Sequence, residues 1–175
     1  GFEPEYVVDT LRVLGVQADA PIAAPGQTVR FTTEWADPNG LGRSVAWAWG
    51  YCVNPGSNQI NDCAAAMRGL AFGADSYSAT VPSDALASGP VGELGVVFAA
   101  CAGTLTLVPN AASGAPVTCT DASGHLVGRE GFVWGGTRVI VANGISNANP
   151  AIDSVAFDGA AWGANDVPLL APCAA

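Results

Sequence analysis

The residues best equipped for chemistry in this chain are five cysteines, one histidine, fifteen carboxylates and five tryptophans. The cysteines fall at Cys52, Cys63, Cys101, Cys119 and Cys173. No two of them have C-x-x-C spacing, and one histidine cannot complete a Cys/His metal set. Their local spacing instead suggests two bridges, Cys52–Cys63 and Cys101–Cys119. Each would close a loop worth about 3 kcal/mol in the chain-entropy picture. Free buried thiols are the alternative, but local bridges around loops fit the oxidising compartments in which disulfides persist. Cys173 is left over, either unpaired or available for an interchain bridge.

The histidine sits in Asp121-Ala122-Ser123-Gly124-His125. Ser, His and Asp are the types of a hydrolytic triad, but triad members come from separate elements that fix their geometry. Three of them within five positions of a Gly/Ser loop read as a solvated turn. No Gly-x-Ser-x-Gly elbow, His-Glu-x-x-His helix or phosphate-cradling glycine loop occurs. Two facing carboxylates would serve a glycosidase, yet the acids here are dispersed and read as surface charges. Asp37 and Asn39 offer oxygens to calcium, but the EF-hand pattern is absent and turn chemistry accounts for both. No catalytic residue, metal site or cofactor is expected. Trp35, Trp47 and Trp49 alternate with polar or small residues and belong in a core. Trp134, beside Gly135-Gly136, and Trp162 are the two candidates for stacking on a sugar ring or filling a partner's pocket.

Composition narrows the partners. The formal net charge is −9, and the six basic residues are scattered arginines. Nucleic-acid binding needs clustered cations, and an anionic membrane surface repels such a chain. No apolar run approaches the roughly 18 residues of a membrane span, so no membrane insertion is expected. Gly (22) and Pro (12) favour short strands joined by turns over long helices.

The elements that would position these residues are read from periodicity. Gln27–Ala36 alternates strictly, with Val29, Phe31, Thr33 and Trp35 on one side, as a half-buried strand does. Arg43–Cys52 follows with Val45, Trp47, Trp49 and Tyr51 on one face. Asp37-Pro38-Asn39-Gly40 turns between them. Tyr6–Val16 reads as a first strand whose apolar face switches near Leu14. Ser76–Val81 alternates again, Gly92–Leu107 reads as one long central strand, and Phe132–Ala142 as a last one. Asn54–Gly73, with one helical turn at Asp62–Arg68, and Pro109–Glu130 are irregular excursions. About seven short strands without a long helix predict an all-β, antiparallel sandwich over residues 1–146. Residues 147–175 form a linker, Asn147-Ala148-Asn149-Pro150, and one more strand that either ends this domain or begins another.

The run Pro25-Gly26-Gln27-Thr28-Val29-Arg30-Phe31-Thr32, then Asp37-Pro38-Asn39-Gly40, then Ser44-Val45-Ala46-Trp47-Ala48-Trp49 resembles the polycystic-kidney-disease (PKD)-type and related immunoglobulin-like domains of bacterial surface proteins. With Phe132-Val133-Trp134 and the Asn-x-Asn-Pro linker, the chain also looks like the Ig-like part of secreted Gram-negative lipoproteins. Two departures stand out. Trp49-Gly50-Tyr51-Cys52 replaces the acidic turn usual after the Trp strand, and Trp35 occupies the strand where antibody domains carry the first cysteine of their inter-sheet bridge. The resemblance implies an Ig-like sandwich and a secreted or cell-surface setting, with outer-membrane lipidation upstream of Gly1 compatible with the acidic start. It carries over no catalytic or metal-binding residue. The expected role is a structural or adhesion module that holds another surface protein, a copy of itself or a glycan through its two long, disulfide-braced loops. The alternatives are a filament subunit assembled by strand pairing through its C-terminal tail and, more remotely, a secreted carbohydrate-binding domain or hydrolase.

Overall fold

The computed structural model describes residues 8–38, 40, 42–56, 59–108 and 116–144, together with the strand pairing of 155–157 and 160–162. In chain order the elements are β1 (Arg12–Ala18), β2 (Ile22–Ala23), β3 (Thr28–Ala36), β4 (Ala46–Val53), α1 (Gln59–Ala65), β5 (Arg68–Gly73), β6 (Ser76–Thr80), a 3-10 turn (Ser83–Leu86), β7 (Val91–Cys101), β8 (Thr104–Leu107), β9 (Val117–Thr120), β10 (Phe132–Ala142), β11 (Val155–Phe157) and β12 (Ala160–Trp162). Two sheets face one another, a three-stranded one ordered β1-β3-β6 and a five-stranded one ordered β2-β10-β7-β4-β5. β8 pairs with β9 and β11 with β12 in two separate ribbons. The main sheets therefore hold eight strands among the described residues, not seven.

Alternation explains the smaller sheet. Val29, Phe31 and Thr33 of β3 point inward and are buried, while Thr28, Arg30, Thr32 and Glu34 are exposed. The opening strand shows how a face switch is built. Val13 pairs with Trp35 and Gly15 with Glu34, so Leu14 is an extra, bulged residue left 62% exposed. A bulge advances the side-chain phase by one residue, and so both Val13 and Val16 pack against the core. The sequence periodicity is consistent with a strand crossing between sheets at Leu14. Pairing with β3 instead continues through that point, and the chain reaches the other sheet at β2, which pairs parallel to Ile140 and Val141 of β10.

Between the sheets lies one apolar core. Leu11, Val29, Phe31, Ala79 and Val81 meet Trp47, Trp49, Leu94, Val96, Phe98, Val139 and Val141. Rings are central to it. Trp47 and Trp49 stack at 6.1 Å, and Tyr77 lies nearly parallel to Trp49 at 5.7 Å. Indole N–H groups cannot be buried without an acceptor. Trp49 Nε1 donates to the Ala74 carbonyl at 3.0 Å, and Trp35 Nε1 to Asp75 Oδ2 at 3.2 Å. Ala74 and Asp75 are where the chain crosses from β5 in one sheet to β6 in the other, so the core aromatics also hold that crossover.

Two segments differ from the sequence reading. The long central strand is two strands. β7 ends at Cys101, and Ala102-Gly103 turns the chain out into β8. The excursion Asn54–Gly73 is not an irregular loop, since it contains α1 and the fifth strand of the central sheet.

Tyr77 gives a pH test of this packing. Its hydroxyl donates to the Gly69 carbonyl at 3.0 Å. Burial, and then the neighbouring Tyr51, raise its pKa above the ordinary value of 10.0. The unfolded phenol therefore loses its proton before the folded one. The associated stability is complete below about pH 10 and is lost as pH rises from there through the folded pKa. Denaturant unfolding between pH 9 and 11 should show this loss, and Tyr77→Phe should flatten it. An unchanged slope in Tyr77→Phe would assign the effect elsewhere.

Candidate functional site

The second face of the central sheet decides where a site can be. Cys52, Gly95, Val97, Ala99 and Cys101 point away from the aromatic core, yet all are buried. Two covers bury them. At one end the Cys52–Cys63 disulfide, with Cα atoms 5.1 Å apart, ties α1 to β4. Cys52, Cys63 and Val97 cluster there with Met67 against them. A Cβ on Gly95 would stand 2.8 Å from Cys52 Sγ, so glycine is needed for the bridge to lie on the sheet. At the other end the Cys101–Cys119 disulfide, Cα atoms 5.7 Å apart, folds the β8–β9 ribbon back. Val117 then covers Ala48 and Ala99, with Leu105 and Phe132 beside it.

Trp134 belongs to both clusters. It is half-buried where the two covers meet and is not a ring standing free in solvent. Of the two excursions expected to be binding loops, the first supplies α1 and the second β9 as covers on the sheet.

Among the described residues an opening lies at the seam between the sheets. A cleft of about 370 Å³ separates β1 from β10 and is lined by Val13, Val16, Phe98, Val133, Trp134 and Thr137 together with glycines. Gly135 forms part of its wall because the Phe98 ring lies against it. A Cβ there would come within 2.7 Å of Phe98 Cζ.

Along this cleft no described strand takes up the outward backbone groups of Trp134, Gly136 and Arg138. Leu11 N–H reaches the Glu130 carbonyl at 3.3 Å below it, and Ile140 N–H reaches the Pro21 carbonyl at 3.2 Å above it. Between these two points β1 leaves to pair with β3, and no described strand pairs with the outer edge of β10. Backbone groups alternate sides along a strand. Since Ile140 points outward, Trp134, Gly136 and Arg138 do as well. The window Trp134–Arg138 is roughly 15 Å long at strand rise. Phe132–Thr137 carries neither charge nor proline, the usual devices that keep an edge from pairing.

The other candidates are plainly placed. Asp121 Oδ1 accepts the N–H groups of Ser123 at 2.8 Å and His125 at 2.9 Å, a turn held by its own side chain. The imidazole is 81% exposed, with Nδ1 3.6 Å from Asp121 Oδ2. No described hydrogen bond joins it to the Ser123 hydroxyl. Both oxygens of Asp37 are taken by Arg43, Oδ2 by Nε at 2.7 Å and Oδ1 by Nη2 at 3.0 Å. That hydrogen bonding raises the Arg43 pKa and closes the turn before β4. Among the described residues no three His, Cys, Asp or Glu side chains converge as metal ligands, and no helix is long and apolar enough to cross a membrane. Asn39, Cys173 and the Trp162 side chain lie outside the described residues. The seam itself went unnoticed in the sequence. Its one local signal is an uncharged, Gly-Gly-containing stretch within a final strand.

No family model, curated protein or solved structure matches the chain.

Proposed function

We propose that this chain is an immunoglobulin-like domain of a secreted or cell-surface protein and acts without catalysis, as a structural or adhesion module. It would hold an extended segment of another surface protein by strand addition at β10. The outward backbone groups of Trp134, Gly136 and Arg138, which no described strand takes up, carry this reading. An incoming strand gains main-chain hydrogen bonds from Trp134, Gly136 and Arg138, while alternate side chains enter the cleft between Val13, Val16 and Phe98.

Three further observations support it. The strands divide into a three-stranded and a five-stranded sheet around one core, which suits a two-sheet sandwich. Two disulfides fit an oxidising compartment. The cleft lining has an apolar wall and no carboxylate, imidazole or thiol, which suits binding more than bond-breaking.

A panel of synthetic decapeptides with alternating apolar and polar residues tests this proposal, titrated into ¹⁵N-labelled protein. Amide shifts and new exchange protection should centre on Trp134, Gly136 and Arg138. Gly136→Pro should abolish them, because proline removes an outward N–H that β7 does not use. Shifts centred on α1 or on residues 116–130, or no binding across the panel, would defeat the proposal.

A further inference from the structure

The end of the chain repeats its beginning. Val8-Asp9-Thr10-Leu11-Arg12-Val13-Leu14-Gly15 aligns without a gap to Ile152-Asp153-Ser154-Val155-Ala156-Phe157-Asp158-Gly159. Further on, Pro21-Ile22-Ala23-Ala24-Pro25 aligns to Pro168-Leu169-Leu170-Ala171-Pro172, after a connection three residues longer. The aspartate, the glycine and both prolines are identical. Apolar residues coincide at Val8/Ile152, Leu11/Val155, Val13/Phe157 and Ile22/Leu169.

In the first copy these positions carry the fold. Leu11 is fully buried, and Val13 packs against the core. Gly15 resumes pairing after the bulge. The Pro21 carbonyl and the Ile22–Ala23 strand attach the chain to β10. The two tail strands fall within the repeat, at the positions of residues 11–13 and 16–18, but there they pair with each other, where β1 runs unbroken from Arg12 to Ala18 along β3. In two aligned pairs, Arg12/Ala156 and Leu14/Asp158, one residue is polar and the other apolar.

We infer that residues 152–172 are the opening segment of a second domain of this same fold, so that the chain is organised in tandem units joined around Asn147–Pro150. The partner of the tail is then the strand equivalent to β3 in that second unit. Here β11 and β12 pair with each other. A two-stranded ribbon of that kind is marginal by itself.

The geometry of the first unit favours propagation. The opening segment enters beside Glu130, at the start of β10, and the chain leaves from Ala142 beside Ala23 at its far end. Entry and exit lie at opposite poles, and an eleven-residue strand spans about 37 Å. Successive units therefore extend the chain head to tail and do not fold it back.

The test is an exchange of segments within the full chain. Residues 8–25 are replaced by a copy of 152–172, and in a control by the same residues in shuffled order. The true copy should give a cooperative thermal melt with both disulfides formed, and the shuffled control should give neither. If the shuffled control folds as the true copy does, the inference falls; if neither folds, point substitutions in the intact chain decide it. A second measurement holds even if the graft misfolds. Val155→Asp and Phe157→Asp should leave the melting temperature within about 2 °C of wild type, whereas Val13→Asp lowers it by about 10 °C or more. A drop at Val155 or Phe157 comparable to that at Val13 would place the tail inside the first domain and overturn the proposal.

Discussion

Trp49→Ala should lower the stability of the domain by about 3–5 kcal/mol, which for a chain of this size moves the melting temperature by roughly 6–20 °C. Trp49 is 2% exposed and has a ring on each side, Trp47 at 6.1 Å and Tyr77 at 5.7 Å, with Phe98 tilted against it at 5.5 Å. Each such pair contributes about 0.5–1.5 kcal/mol beyond burial. Its Nε1 bond to Ala74 adds a second, separable part. Trp49→Phe keeps most of the packing but loses that hydrogen bond, at a cost of about 0.5–1.5 kcal/mol. Trp35→Phe should cost less than Trp49→Ala, since Trp35 is only part-buried. Urea unfolding of the three variants would rank them. If Trp35→Phe proved as damaging as Trp49→Ala, the crossover at Ala74-Asp75, and not the ring stack, would dominate the stability of the core.

The part of this arrangement legible in the sequence is the part governed by two-residue periodicity. Phe31, Trp47 and Phe98 each sit on an alternating run, and all three are buried between the sheets. Alternation reports one apolar face and is silent about the other. β4 and β7 read as strands with small residues on their second side, Ala48, Gly50, Gly95 and Ala99, and smallness alone does not say whether water or protein lies above. Two lids do lie there, because small side chains let a disulfide and a folded-back ribbon approach the sheet closely. Gly103, which turns β7 into β8, looks in the sequence like any glycine within an apolar run. For the same reason one long strand was expected where there are two.

The candidate site was less legible. An open edge is a property of pairing between distant segments, set by Leu11 meeting Glu130 and Pro21 meeting Ile140, contacts that no local pattern encodes. Trp134 drew notice for its type and its glycine neighbours. Its position where two covers meet, along the seam, depends on which residues lie across β7 and β9 from it. The bulge at Leu14 lies between these extremes. The sequence displays the change of face, but whether the strand changes sheet or inserts one residue depends on its partner β3.

Removing either disulfide should cost about 3 kcal/mol, and the reason lies in what the bridges cover. Were Cys52–Cys63 and Cys101–Cys119 staples within solvated loops, Cys52→Ser/Cys63→Ser and Cys101→Ser/Cys119→Ser would destabilise through the unfolded chain and leave the native sheet unchanged. Here each bridge presses a cover onto the back of the central sheet, over Val97 in one case and over Ala48 and Ala99 in the other. Each double variant should therefore also speed native-state amide exchange locally, at Val97 without the first bridge and at Ala99 without the second. Trp134 touches both clusters, so the two losses should not simply add, and a coupling of about 0.5–3 kcal/mol is expected between them. Full reduction then removes about 6 kcal/mol, raised or lowered by that coupling, from a domain whose total stability falls in the range of about 5–15 kcal/mol. That is enough to bring the reduced protein near its unfolding threshold at 37 °C. Thermal melts with and without reductant, combined with exchange on the two double variants, would show this. A reduced protein that melts with the oxidised one, and exchange at Val97 and Ala99 unchanged, would mean that the lids stay seated without their bridges, with the aromatic core alone supporting the fold.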